Sequence, residues 1–240
     1  DRTIGIQWLI AFSQSIFGRN ITAAHLPSLA CAITSLILTY KISKIILGPK
    51  FSFITPTILC TTFLWLDFSH LATQDMPLLS LELLGLFSLL RFEIDKRRIW
   101  LFLMGISIGP AFLLKSFMVF IPLIAISPYI FLYHRRIFSS KLFLLAVFLG
   151  FLPFIIWIGL SIQQYGFENV SFLFRKIYYL SQTEEYKKPI YYYFYNIPLN
   201  TLPWSIFALF GAYISIKRLS LKTNVFLLCY PFLIIFFLSI

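Results

Sequence analysis

"LFLLAVFLGFLPFIIWIGLSIQQYGF", residues 142–167, runs from Lys141 to Glu168 without one charged side chain. A helix of roughly 20 apolar residues crosses the ~30 Å hydrocarbon core of a bilayer, so this stretch alone spans it. Charge-free blocks also cover 51–66, 99–114, 116–133, 189–216 and 223–240. Blocks 51–66 and 99–114 fall short of a full span, but flanking Lys and Arg can snorkel to the headgroups and make up the difference. The composition agrees: 59% of residues are hydrophobic and 12% charged, against about 25% charged in a typical soluble domain. Mean hydropathy is +0.85. The fold class that follows is all-α, a polytopic transmembrane helical bundle, and a soluble globular domain is excluded.

The formal charge of +11 invites a nucleic-acid reading, but the distribution of the cations argues against it. Lys41, Lys44 and Lys50 form one cluster, and Arg91, Lys96, Arg97 and Arg98 the next. Arg135, Arg136 and Lys141 form a third, and Lys217, Arg218 and Lys222 a fourth. Every second connection between apolar blocks is therefore basic, the positive-inside pattern that assigns these loops to the cytoplasm. The clusters read as topology signals, with contact to lipid headgroups as the alternative.

The expected topology begins with an interfacial helix at 6–17, where Ile6, Leu9, Ile10, Ser13 and Phe17 share a face. Spans are expected at about 22–40, 51–66, 76–90, 99–114, 116–133, 142–161, 197–216 and 224–240, with Pro110 and Pro153 as candidate helix breaks. The alternation puts residues 1–20, the 67–75 turn, the turn at Lys115 and the 162–196 loop on the outer face. Within that loop, "ENVSFLFRKIYYLSQ" (168–182) reads as a second interfacial helix. Cys31, Cys60 and Cys229 fall inside apolar blocks and read as core residues, not as a disulfide or metal framework. The chain starts at Asp1 without a signal peptide and stops inside "PFLIIFFLSI" (231–240). The expectation is a single transmembrane domain over 1–240, truncated at both ends.

Three charges on or near the outer face stand out. Asp75, in "FSHLATQDMPLL" (68–79), lies at the mouth of an apolar run with no Lys or Arg between Lys50 and Arg91. Thr73 and Asp75 both suit the N-terminus of a helix, where a carboxylate is favoured by the helix dipole. Asp75 is thus either a cap or a functional carboxylate. Glu82 lies seven residues further, on nearly the same face and deeper; an acid at that depth is either paired or functional. Lys115 falls in the outer turn between two spans, as a snorkelling residue or as a cation that meets a phosphate. Arg2, Arg175, Lys176, Lys187 and Lys188 share that face, against the positive-inside rule, and point to an anionic ligand.

Four motifs then carry a family resemblance. "IGIQWLIAFSQSIFGRNITAAHLPS" (4–28) resembles a segment in which a WL-containing interfacial helix leads to F-G-x-N and A-A-R-L-P-S. "TQDMPLL" (73–79) resembles an acidic turn, and "GISIGPAFLLKSFMVFIPL" (105–123) a G-x-A-F-L-x-K-G turn. "KKPIYYYFYNIPLNTLPWSIFAL" (187–209) is similar to a segment that pairs G-P-x-x-Y-Y-L with L-P-W-S. In this order they resemble the GT-C superfamily of membrane glycosyltransferases, in the branch of protein O-mannosyltransferases and lipid A aminoarabinose transferases, with closer likeness to the latter.

The resemblance implies transfer of a sugar from a polyprenyl-phosphate donor to a lipid, glycan or protein acceptor at the outer face of a bacterial plasma membrane. A carboxylate would take the acceptor's proton and basic groups would stabilise the departing phosphate. Asp75 matches the family's second outer-loop acid; the family's principal Asp belongs to an earlier loop, of which only Asp1 could be a remnant. Arg2 and Thr3 stand where the family has Lys and Pro, which gives Arg2 the donor phosphate by resemblance, and Lys115 matches the family's Lys, with Ser116 standing where the family has Gly. His25 replaces the Arg of A-A-R-L-P-S. Tyr191 and Tyr192 match a Tyr pair that could line the lipid or sugar pocket, and otherwise belong to an interfacial aromatic belt. The sequence indicates neither cofactor nor metal, and a divalent metal is left open. The expected partners are donor, acceptor and membrane lipids, without nucleic acid. A transporter would need discontinuous midplane helices and internal repeats, and a non-catalytic membrane subunit would leave the ordered motifs unexplained.

Overall fold

The computed structural model describes residues 4–168, 171, 175, 189, 191–217 and 222–239. The expected second interfacial helix at 168–182 lies largely outside them. Among the described residues the regular structure is entirely helical, in agreement with the sequence. Three helices are each long and apolar enough to cross a membrane: α2 (Ile21–Leu47), α6 (Arg98–Lys115) and α8 (Lys141–Tyr165). Large apolar side chains such as Ile33, Leu144, Phe148 and Ile155 are exposed on them, as a lipid-facing surface requires. The 21 residues of α5 (Asp75–Asp95) rise about 31 Å, enough to cross, although its polar groups lower its hydropathy. It is flanked by α2 and α6.

The entry into α2 explains the first motif physically. α1 (Gly5–Phe17) ends at Gly18, whose φ of 83° suits a residue without a Cβ. Asn20 then caps α2, accepting from the Ala23 amide at 2.7 Å and donating to the Phe17 carbonyl at 3.0 Å. Helix α1 buries Gly5, Ile6 and Ser13 but leaves Trp8, Phe12, Ile16 and Phe17 exposed. The buried stripe is narrower than the sequence suggested, and the exposed aromatics suit a helix lying among headgroups.

Two expected spans are broken. Block 51–66 divides into α3 (Ile54–Thr61) and α4 (Phe63–Ser69), with Thr62 extended between them. The Thr61 hydroxyl bonds the Thr57 and Ile58 carbonyls and the Thr62 hydroxyl bonds Ile58, offering this turn an alternative to the helical ladder. The 197–216 span becomes α9 (Tyr192–Asn200) and α10 (Trp204–Ile216), bent by 117°. Pro203 lacks the N–H a continuous helix needs and disfavours helical backbone at Leu202. Pro110 and Pro153, by contrast, lie inside unbroken α6 and α8. The remaining described elements are a 3₁₀ turn (Ser116–Val119), α7 (Phe120–Tyr133), a second 3₁₀ turn (Arg135–Ile137) and α11 (Lys222–Leu238).

Helices α6 and α8 touch backbone to backbone. A Cβ on Gly109 would lie 2.0 Å from the Gly150 carbonyl carbon, and one on Gly105 would lie 2.8 Å from the Ala146 Cβ. Small residues four apart on each helix permit this approach, which in lipid must supply by dispersion what hydrophobicity cannot. At the inner ends, Glu93 of α5 accepts a hydrogen bond from the Tyr129 hydroxyl of α7 at 2.8 Å and lies 3.6 Å from the Lys222 ammonium of α11. His134 Nε2 lies 3.6 Å from Glu93 and makes no hydrogen bond. Burial pushes that imidazole below its ordinary pKa, and the Glu93 charge opposes the shift.

Two outcomes check this architecture. Gly109→Ala forces α6 and α8 apart and should lower stability by about 1–3 kcal/mol, read as a drop in melting temperature in detergent. With Cys31, Cys60 and Cys229 replaced, an impermeant thiol reagent added from outside should label a cysteine at Gln164 but not one at Ser139.

Candidate active site

The outer mouth of the bundle is assembled from α1, the start of α2, the start of α5 and the end of α6. Two contacts from α2 hold the turn before α5: Ser28 donates to the Thr73 carbonyl at 3.1 Å, and the His25 ring meets the His70 carbonyl. His25 therefore replaces an Arg with a residue that grips backbone. From this turn Asp75 opens α5. The helix N-cap is Gln74, which forms no side-chain cap bond, so Asp75 is a first-turn carboxylate and not the cap itself.

Asp75 is not solitary, as its sequence neighbourhood suggested. The Lys115 ammonium donates to Asp75 Oδ1 at 2.6 Å, across 40 residues of sequence. Both side chains keep 30% of their surface exposed, so the pair is reachable from the outer side. Each charge also suits its helix end: the carboxylate stands in the first turn of α5, the ammonium in the last turn of α6. After Lys115 the chain turns through Ser116 at φ 50° and ψ −129°. That region favours glycine, which gives the resembling Lys-Gly a physical reason and makes Ser116 a strained substitute.

Glu82 lies deeper on α5 and lines an apolar cavity of about 350 Å³ between α5, α6, α7, α8 and α11. The charge on Lys115 acts on it, yet among the described residues Glu82 makes no hydrogen bond or close ion pair. Thr73 Oγ1 and Gln74 Oε1, beside Asp75, are buried without a partner. Such atoms normally find water or a ligand group. Sequence reasoning named Thr73 only as a capping candidate and passed over Gln74; an amide beside a lone acid was the available signal.

Among the other predicted site residues, Arg2 lies outside the described residues. Tyr191 and Tyr192 begin α9, which packs against α10 and α11. Tyr191 is 66% exposed and its ring stands 6.2 Å from Tyr195; the Tyr192 ring stands 5.6 Å from Tyr195. The structure thus joins Asp75 with Lys115 and brings both tyrosines against Tyr195. Among the described residues no three His, Cys, Asp or Glu side chains gather as metal ligands.

Residues 1–158, which carry Asp75, Lys115 and the helices that join them, match the dolichyl-phosphate-mannose-protein mannosyltransferase family. The chain belongs to that family. Over its whole length it is 27% identical to the undecaprenyl phosphate-alpha-4-amino-4-deoxy-L-arabinose arabinosyl transferase of Photorhabdus laumondii, of which it spans 45%. Its fold matches the crystal structure of ArnT from Cupriavidus metallidurans in the apo state with a TM-score of 0.79. That match has 17% identity and covers all of this chain and 44% of the other. The structure of the same protein bound to undecaprenyl phosphate gives 0.71 at 16% identity, covering 99% of this chain and 49% of that one. The chain is a multi-pass membrane protein of GT-C fold, and it spans about half the length of the relatives it matches.

The Ser116 geometry yields a direct test. Ser116→Gly should relieve the strained turn and raise stability by about 1 kcal/mol, seen as a higher melting temperature in detergent. An unchanged or lower value would mean the turn is not strained.

Proposed function

We propose that this chain forms part of a membrane glycosyltransferase that moves a sugar from a polyprenyl-phosphate donor to a lipid, glycan or protein acceptor at the outer face of a bacterial plasma membrane. The observation that carries the reading is the partly exposed Asp75–Lys115 pair, set at the outer mouth inside the family-matched segment. Membership of the family and the undecaprenyl phosphate held by the structural relative support the choice of donor.

In this mechanism the acceptor hydroxyl attacks the anomeric carbon of the donor sugar. The bond from that carbon to the phosphate oxygen breaks, and the polyprenyl phosphate leaves with the electron pair. The acceptor proton passes to a carboxylate, the role assigned to Asp75. The Lys115 ammonium stabilises the charge that gathers on the leaving phosphate. The resting ion pair sets an order of events. One ammonium has three N–H donors, so an arriving phosphate can share Lys115 with Asp75 or draw it away. Either change leaves the carboxylate free to meet the acceptor hydroxyl once the donor is seated. Thr73 and Gln74 supply polar atoms for a sugar or acceptor hydroxyl beside the reacting centre. Arg2 is assigned to the donor phosphate on the sequence match alone, and Tyr191 and Tyr192 to the wall of the lipid or sugar pocket.

The experiment is a pair of substitutions in the full-length protein. Asn keeps the shape of Asp75 and can still accept a bond from Lys115, but it cannot take a proton at neutral pH. Asp75→Asn should therefore fold with near-parent stability and lose transfer by roughly 10²- to 10⁴-fold. Lys115→Met should weaken binding of the polyprenyl-phosphate sugar. Parent-level transfer by Asp75→Asn would remove the carboxylate from the chemistry; parent-level donor binding by Lys115→Met would remove the ammonium.

A further inference from the structure

On the inner face, away from the Asp75–Lys115 mouth, a recess of about 460 Å³ lies between the starts of α6 and α8. Its lining is of two kinds: Arg98, Ser140 and Lys141 are polar, and Leu101, Leu142 and Leu145 are apolar. Arg98 and Lys141 are the first residues of their helices. Among the described residues neither has a carboxylate partner. Four other cations of the inner face are engaged. Arg91 pairs with Asp95 at 3.0 Å, Lys222 lies 3.6 Å from Glu93, and Lys96 and Lys217 stand over the rings of Phe92 and Tyr213. Asp95, the acid nearest in sequence to Arg98, also accepts from the Trp100 indole at 3.3 Å.

The caps of the two helices add to this. Arg97 and Ser140 hold the N-cap positions of α6 and α8 without a side-chain cap bond. The Trp100 N–H already donates to the Arg97 carbonyl at 3.2 Å; the Arg98 and Ile99 N–H groups of α6 and those of the first turn of α8 stand toward an anion at the positive ends of two dipoles. Two free cations and a hydroxyl above three leucines, at the level where a lipid headgroup meets its chains, ask for a phosphate joined to an apolar tail. Leu145 is 51% exposed on the lipid side, so a tail can enter along the bundle surface.

We propose that this recess binds the phosphate headgroup of an anionic phospholipid of the inner leaflet. Arg98, Ser140 and Lys141 hold the phosphate, and one acyl chain lies on Leu101, Leu142 and Leu145. The apolar floor favours a lipid over free phosphate, which would leave the leucines uncovered. Because one cation comes from α6 and the other from α8, the lipid clasps the pair of helices joined at Gly109 and Gly150. This assignment does not depend on the transferase chemistry.

The test uses the full-length protein in detergent and native mass spectrometry with phosphatidylglycerol and phosphatidylcholine of equal chain length. The parent should retain one phosphatidylglycerol under conditions that strip phosphatidylcholine. At about fivefold per surface cation, Arg98→Gln with Lys141→Gln should weaken retention on the order of 30-fold. Arg135→Gln with Arg136→Gln removes the same charge from exposed positions outside the recess and should leave retention intact. Equal loss from the two double variants, or no loss from the first, overturns the site. A second readout keeps the native cations: the fluorescence of Leu145→Trp should be quenched more by brominated-chain phosphatidylglycerol than by brominated-chain phosphatidylcholine. Equal quenching by the two lipids, or displacement of the lipid by excess inorganic phosphate, overturns the acyl-chain contact.

Discussion

The constraint on which the bundle depends is the backbone contact of α6 with α8. Lipid tails are as apolar as leucine, so two helices in a membrane gain little by hiding apolar side chains from it. They gain by approaching closely, and Gly105, Gly109, Ala146 and Gly150 clear the surface for that approach. The contact fixes α6 laterally, and α6 carries Lys115 at its outer end. On the opposite flank α6 meets α5, whose first residue is Asp75. Interdigitated side chains would leave play between α6 and α8; contact between backbones leaves almost none. The outer charge pair therefore inherits its position from a glycine contact deeper in the membrane.

Much of the fold was legible because the bilayer makes one large demand, a long apolar run, and residues 142–167 meet it without ambiguity. The breaks were less legible. Pro110 and Pro153 looked like break points, but neighbouring helices tolerate a proline inside a span. The real interruptions at Thr62 and at Leu202–Pro203 depend on threonine hydroxyls diverted to local carbonyls and on a proline placed between two short helices. The glycines of "GISIG" (105–109) were in plain view, but only a facing small residue gives them meaning, and Gly150 lies on another helix.

The site was half legible. Asp75 and Lys115 each stood out because a charge in an apolar setting must have a reason, and their shared outer location was implied by the alternation of basic loops. That they touch was not implied, since 40 residues separate them and no local periodicity links them. Two separate puzzles, an acid without a partner and a cation in a turn, resolve into one arrangement. The Tyr-Tyr match left a pocket wall and an aromatic belt as alternatives for Tyr191 and Tyr192, and the folded chain adds that both rings meet Tyr195, one helical turn further on.

Helix α5 is tied at both ends: Asp75 to Lys115 outside, and Glu93 to Tyr129 and Lys222 inside. A guest that draws Lys115 away loosens the outer tie while the inner one still holds the helix. An arriving ligand at the outer mouth must be received by side-chain rotation or by the short 116–119 turn. The depth of Glu82 below that mouth is accordingly a fixed distance, like a mark cut into a ruler, and it sets how far a guest can descend before meeting a second carboxylate.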